Sequence, residues 1–200
     1  MSASTDLRPI QAGDLRAALD LYLPYIEQGP FSLEYVPPSF EEWTTRVQTI
    51  TADYPWLVCT EGDHLLGYAY ASRHRVRIGY AWVAETTIYL APGAQGRGIG
   101  RILYETLFDL LRVQGIVQVL AIVGLPNARS EAFHARMGFG VVGVFKDIGF
   151  KAGQWQDTRC YQMALSDPPA GPVLPRPFPA CADDPAVRAI FDAARQQLRA

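Results

Sequence analysis

Apolar and polar positions follow two rhythms along the chain, and the switches between them predict an α/β domain. Residues 7–10 read as a short strand. From Asp14, placed as an N-cap, apolar residues fall at Leu15, Ala18, Leu19, Tyr22 and Ile26, the spacing of a helix with one buried face. Ser39 with Glu42 matches a capping box, and Phe40, Trp43, Val47 and Ile50 follow at helical intervals. Residues 56–60 and 65–72 read as strands joined by a hairpin turn over 61–64. Residues 80–90, rich in aromatic and β-branched side chains, predict a long strand. Residues 98–112 predict a helix with Ile99, Ile102, Leu103, Leu107, Leu110 and Leu111 inward. The unbroken apolar run 117–123 predicts a strand covered on both faces. A helix over 127–137 ends at Gly138, which suits a left-handed cap, and 139–145 and 157–165 close the pattern as strands.

Proline changes the picture near the end. Seven of the 15 prolines lie between Pro168 and Pro185, so this stretch lacks backbone donors and reads as an extended strap. Asp184-Pro185 then opens a helical spacing of Val187, Ile190, Phe191, Ala194 and Leu198. The expected division is a domain over 1–166, followed by a strap and short helix over 167–200. The tail is expected to dock on its own domain, with a helix offered to a partner as the alternative.

Composition sets bounds on function. The 200 residues are 49% apolar and 19% charged, with net charge −2. That is enough apolar chain for a sizeable core, and it argues against a basic nucleic-acid binder and against a disordered acidic protein. No apolar run reaches the roughly 20 residues of a membrane span. The segment 1–6 has no basic or apolar stretch of the kind that begins a secretory signal. Cys59, Cys160 and Cys181 are scattered and odd in number, which fits a reducing cytoplasm. With His64, His74 and His134 they make no metal-ligand spacing, so no metal is expected.

The turn from Tyr89 to Arg101 carries the most chemistry. A strand ends, Gly96, Gly98 and Gly100 follow, and a helix begins. Glycines let backbone N–H groups converge on a phosphate, and the helix N-terminus adds partial positive charge. Arg97 and Arg101 can add more. A Walker loop needs Lys-Ser or Lys-Thr, which is absent. The dinucleotide fingerprint needs a third glycine where Arg101 stands.

Gln95-x-x-Gly98-x-Gly100 resembles the acyl-CoA pyrophosphate loop of the GNAT superfamily of N-acetyltransferases. Asn127 through Ser130 and His134 to Gly138-Phe139 resemble that superfamily's next helix. Tyr54-Pro-Trp, Tyr80-Ala-Trp-Val-Ala-Glu85-Thr-Thr, Gly124-Leu-Pro-Asn127 and Gly149-Phe-Lys-x-Gly153-x-Trp155-x-Asp157 are similar to its phosphinothricin and methionine sulfoximine N-acetyltransferase group. The similarity runs from about Leu7 to Leu165. It implies the GNAT fold, a mixed and mostly antiparallel central sheet flanked by helices, with acetyl-CoA as acyl donor, and it implies a homodimer.

Acyl transfer to an amine requires the amine to lose a proton, the thioester carbonyl to be polarised and the thiolate to be stabilised. Glu85 lies within an apolar, aromatic strand, where a carboxylate withdrawn from water becomes a stronger proton acceptor. The resemblance places the catalytic glutamate at the same position. The alternative is a solvent-facing glutamate satisfied by Arg75 or Arg77. The resemblance implies that backbone groups of Ile88, Tyr89 and Leu90 hold the pantetheine arm and polarise the thioester. It assigns the loop Gln95, Gly96, Arg97, Gly98, Ile99, Gly100 and Arg101 to the diphosphate, and Asn127 and Ser130 to further cofactor contacts. His134 stands where many members have a general-acid tyrosine, and could protonate the thiolate or only contact cofactor.

On the acceptor side, Arg73-His74-Arg75-Val76-Arg77 alternates basic residues that an extended backbone would put on one face. Arg75 and Arg77 match the family's basic pair and could take a substrate carboxylate or phosphinate. Phe31, after Gly29-Pro30, matches an aromatic lid residue, and Tyr80 and Gly124 match pocket-lining positions. The expected function is direct N-acetylation of a small amino-acid-like amine. Acetylation of another amine, such as a protein N-terminus, and a non-catalytic CoA-binding module are the alternatives.

Overall fold

The computed structural model describes residues 4–27, 29 and 31–199; residues 1–3 of the N-terminal segment, Gln28, Pro30 beside the lid position, and Ala200 lie outside it. In chain order the strands and helices are β1 (Thr5–Pro9), α1 (Leu15–Glu27), α2 (Phe40–Thr51), β2 (Trp56–Glu61), β3 (His64–Arg73), β4 (Val83–Leu90), α3 (Ile99–Gln114), β5 (Gln118–Gly124), α4 (Ala128–Arg136), β6 (Gly140–Lys151), β7 (Gln154–Ala164) and α5 (Pro185–Arg199). The strands form one sheet in the order β1-β2-β3-β4-β5-β7-β6. Every neighbouring pair is antiparallel except β4 with β5.

Strand alternation divides the core in two. Ala69, Ala71, Ala84, Val119, Ala121 and Val123 face α3 and α5. Trp56, Val58 and Tyr68 face α1 and α2. The buried residues of α1 are Leu15, Ala18, Leu19, Tyr22 and Ile26, the stripe read from the sequence. In α3, Leu103, Leu107, Leu110 and Leu111 have no exposed surface, each contributing about 1.5–3 kcal/mol of burial. The Ser39 capping box forms, with its hydroxyl accepting from the Glu42 N–H at 3.2 Å. Phe40 departs from the expected face of α2: it is exposed, with the Arg16 guanidinium 4.3 Å from its ring centroid.

Three further expectations change. Strand β4 starts at Val83, because residues 78–80 form a 3₁₀ turn; Tyr80 sits on that turn and not on the strand. The chain joins the sheet where β5 offers partners, the Val117 and Gln118 N–H groups both donating to the Trp82 carbonyl. Strand β5 is covered on one face only, since α1 and α2 stop short of it and Ile122 is exposed. The hairpin of β6 and β7 is longer than the pattern suggested. A bulge between Phe145 and Gly149, with Asp147 at φ 50°, breaks the alternation that marks a strand in sequence.

The tail packs on its own chain. The Trp82 indole donates to the Val173 carbonyl at 2.8 Å, and the Gln114 amide bridges the carbonyls of Asp53 and Arg176, each at 2.8 Å. Val187, Phe191 and Ala194 of α5 are buried in the core that α3 and β1 share, and Arg195 pairs with Asp6 at 2.9 Å.

Candidate active site

The sheet opens in its middle. The parallel ladder of β4 and β5 holds only from Val83–Gln118 to Glu85–Leu120, and beyond it the strands separate. The Thr86 hydroxyl donates to the Leu120 carbonyl at 3.1 Å, closing the last rung. On the other side, the Ala91 N–H donates to Leu66 of β3. Counting back by twos, the backbone groups of Leu90 and Ile88 face away from β3, into the gap. Tyr25 takes one of them, donating its hydroxyl to the Leu90 carbonyl at 2.8 Å. The Ile88 N–H and carbonyl and the Leu90 N–H are left without a strand neighbour.

The glycine turn lies at the end of this gap. Gly96 and Gly98 have φ of 80° and 78°, and a Cβ on either would meet nothing within 4 Å. Gly98 caps α3 in the left-handed conformation, and among the described residues no side chain caps the helix's first N–H groups. Free amides and a helix N-terminus in one open turn suit a diphosphate. Arg97 and Arg101 are not free beside it: Arg97 pairs with Glu61 at 2.6 Å and Arg101 with Glu105 at 3.1 Å. Gln95 receives a hydrogen bond from Arg129, a cation at the mouth of the loop that the motif did not single out. Asn127 caps α4, its Oδ1 accepting from the Ser130 N–H at 3.1 Å, which leaves its amide NH₂ for another partner.

His134 has a different place from that expected of a general acid. It is 4% exposed and boxed by Tyr104, Phe133, Phe139 and Tyr161. Nδ1 lies 2.8 Å from the Ser130 carbonyl, which can only accept, so Nδ1 carries the hydrogen. Nε2 then accepts from the Tyr104 hydroxyl at 3.3 Å. Burial holds its pKa below the ordinary value. A neutral ring whose one N–H is already committed has no proton to offer a thiolate. The sequence placed His134 on the correct helix but could not show that its face is buried.

Glu85 projects from the middle of β4 on the face it shares with Tyr89, its side chain 35% exposed. Its partner is neither arginine of the alternative reading. His74, just past the end of β3, places Nδ1 2.7 Å from Glu85 Oε1. Tyr80 stands edge-on to His74 at 5.8 Å, and the Arg75 guanidinium lies over Tyr80 at 5.1 Å. Residues 74–77 lie past the end of β3, with bends at 74, 76 and 77, so Arg75 and Arg77 do not share a strand face. Both are exposed, and among the described residues neither has an acidic partner. Phe31 ends an aromatic row running through Tyr25 to Tyr89 of β4. Gly124 ends β5 on the face that Leu120 shares with Glu85.

A second anchor was invisible in the sequence. Lys151, at the end of β6, is 9% exposed and donates to the carbonyls of Ile26 and Ser32, each at 2.5 Å. It fastens the segment that carries Phe31. Tyr35 adds a bond to the Phe150 carbonyl, and a Cβ at Gly149 would lie 2.6 Å from Leu33.

Residues 7–159 match the acetyltransferase (GNAT) domain. The chain is 37% identical over 168 residues to the phosphinothricin N-acetyltransferase of Streptomyces coelicolor, covering 82% of this chain and 98% of that one. It is 38% identical over 162 residues to that of Alcaligenes faecalis, covering 80% and 82%. It is 33% identical over 114 residues to the methionine sulfoximine/methionine sulfone acetyltransferase of Salmonella typhimurium, covering 57% and 67%. The crystal structure of a GNAT phosphinothricin acetyltransferase from Sinorhizobium meliloti in complex with AcCoA superposes with a TM-score of 0.78 at 36% identity, covering 89% of this chain and 99% of that one.

Proposed function

The chain belongs to the GNAT acetyltransferases and is an N-acetyltransferase that uses acetyl-CoA, and from that premise we propose that its acceptor is the amino group of a small amino-acid-like molecule of the phosphinothricin, methionine sulfoximine or methionine sulfone type. The observation that carries this reading is the gap between β4 and β5, with Glu85 on the last paired position before it and the glycine turn at its end.

Acetyl-CoA supplies an acetyl group activated as a thioester. The free groups of Ile88 and Leu90, beside Tyr89, are suited to hold its pantetheine arm. The amides of residues 95–101 are suited to its diphosphate, and Asn127 and Ser130 to the remaining polar groups. Glu85 takes the proton of the ammonium group, directly or through one water, and the freed lone pair attacks the carbonyl carbon. Among the described residues Arg75 and Arg77 lack carboxylate partners, and they suit an acceptor carrying a carboxylate and a phosphinate or sulfone. Phe31, Tyr80 and Gly124 line the acceptor side. The same arginines disfavour a polyamine. With His134 committed to the interior, the thiolate takes its proton from solvent or from the protonated nitrogen of the tetrahedral intermediate as it is expelled.

We place the enzyme in the cytoplasm on its unpaired cysteines; among the described residues no helix is long and apolar enough to cross a membrane. A homodimer is supported by β6, an edge strand exposed on both faces that presents Val141, Phe145 and Ile148.

A thiol-release assay over phosphinothricin, L-methionine sulfoximine, L-methionine sulfone, free amino acids and peptide N-termini tests the acceptor. Turnover is expected with the first three, and preference for peptides refutes the reading. Glu85→Gln is expected to lower kcat by about 10²–10⁴-fold without weakening acetyl-CoA binding. Undiminished turnover at pH 7 removes Glu85 from the mechanism.

A further inference from the structure

Resting on Glu85 as the base, we infer that His74 is a positioning residue that fixes the carboxylate for proton transfer. Ser72 of β3 is the register partner of Glu85, and the chain leaves the strand one residue later. His74 follows that exit, and its imidazole turns back toward the rung to reach Oε1 at 2.7 Å. An ionised carboxylate only accepts, so Nδ1 carries the hydrogen and His74 donates it.

This bond has consequences for both oxygens. Oε1 is held, and with it the rotation of a side chain that has three free torsions. Among the described residues Oε2 accepts no hydrogen bond, so it is the oxygen left for the ammonium proton. The imidazole is braced in turn: Tyr80 stands against it edge-on, and Arg75 lies over Tyr80. His74 is less exposed than Glu85, 19% against 35%, so the donor is the better shielded side of the bond. In the transfer, the ammonium N–H breaks, its proton passes to Oε2, and His74 keeps its own proton throughout. The residue acts on kcat through Glu85, because reacting groups held in the attacking geometry cross the barrier more often.

Asparagine places an N–H donor where Nδ1 lies, and leucine does not. With phosphinothricin and acetyl-CoA in the thiol-release assay, His74→Leu is expected to lower kcat roughly 10- to 100-fold, the size of one hydrogen bond to a charged group. KM for acetyl-CoA should stay unchanged. His74→Asn should recover most of the loss at equal thermal stability. In a Glu85→Gln background His74→Leu should cost nothing more, because the two act as one unit.

Equal activity in Leu and Asn variants overturns the inference, whether both match the unsubstituted enzyme or both are impaired. So does a higher kcat in His74→Leu, which would mean that His74 occupies the base. Full turnover by Glu85→Gln refutes the base itself; an inactive Glu85→Gln beside a normal His74→Leu refutes only the role of His74. Long-range ¹H–¹⁵N spectra at pH 8 test the bond without any substrate. The Nδ1–H tautomer of His74 is expected, lost in Glu85→Ala, and an Nε2–H tautomer in the unsubstituted chain overturns the inference.

Discussion

Replacing Gly98 by alanine separates backbone strain from contact. Gly98 has φ 78° and ψ −9° and ends the turn that opens α3. An added Cβ would meet no atom within 4 Å, so no clash contributes. What remains is the cost of a left-handed L-residue, roughly 1–2 kcal/mol. That strain can surface in two ways. If the fold holds the turn rigid, it lowers stability, which for a chain of this size shifts Tm by roughly 2–8 °C. If the turn relaxes in the free enzyme, binding must restore its shape, and the same energy weakens acetyl-CoA affinity by about 5- to 30-fold. The two losses should sum to the strain, whichever way it divides. Differential scanning calorimetry of the free enzyme and titration calorimetry with CoA read the two parts separately. Gly98→Asn should lose less, since asparagine tolerates this conformation. Gly93→Ala in the same turn, with open space and no positive φ, should change neither quantity. The reasoning fails if Gly98→Ala alters neither stability nor affinity, or if Gly93→Ala weakens binding as much.

Lys151→Met should raise KM for the acceptor amine and leave KM for acetyl-CoA unchanged, because it frees the segment carrying Phe31 from its two carbonyl bonds; about 1.5–3 kcal/mol of stability should go with it in a urea titration. His134 is buried with its pKa below the ordinary 6.5, so below pH 6.5 the unfolded chain binds more protons than the native one and stability falls, while above 6.5 the contribution is fully present. Urea midpoints at pH 8 and 5.5 should show a smaller acid loss in His134→Phe than in the unsubstituted chain. Deleting residues 167–200 strips Phe178, Val187 and Phe191 from the core, each worth about 1.5–3 kcal/mol of burial, and should lower Tm by more than 10 °C or abolish soluble expression. A truncated chain that melts normally would show the tail to be dispensable.

Local periodicity made the helices legible. A buried stripe is a property of residues three and four apart, so the stripe of α1 could be read to the residue and that of α3 nearly so, whereas Asp14, expected to cap α1, closes the 3₁₀ turn before it by accepting from the Gln11 N–H at 2.7 Å. The glycine turn was legible for the same reason, since its conformation is set by the glycines themselves. Glu85 stood out as one charge in an apolar strand. What the sequence alone determined, then, was the set of elements, the α/β fold class, the candidate anion-binding turn and the candidate base.

Tertiary structure decided the rest, because those features join residues that are distant or differently turned. The pairing of Glu85 with His74 depends on the register that sets Ser72 opposite Glu85, and on the bend that directs residue 74 back across the strand. No spacing within the basic run distinguished His74 from its arginine neighbours. The interior setting of His134 came from four aromatic rings on α3, α4, β7 and the turn after α4, and the reach of Lys151 to Ile26 spans 125 positions of chain. The gap between β4 and β5 is likewise a relation between strands: each has an ordinary apolar sequence, and only their divergence after the Glu85–Leu120 rung frees backbone groups for a ligand.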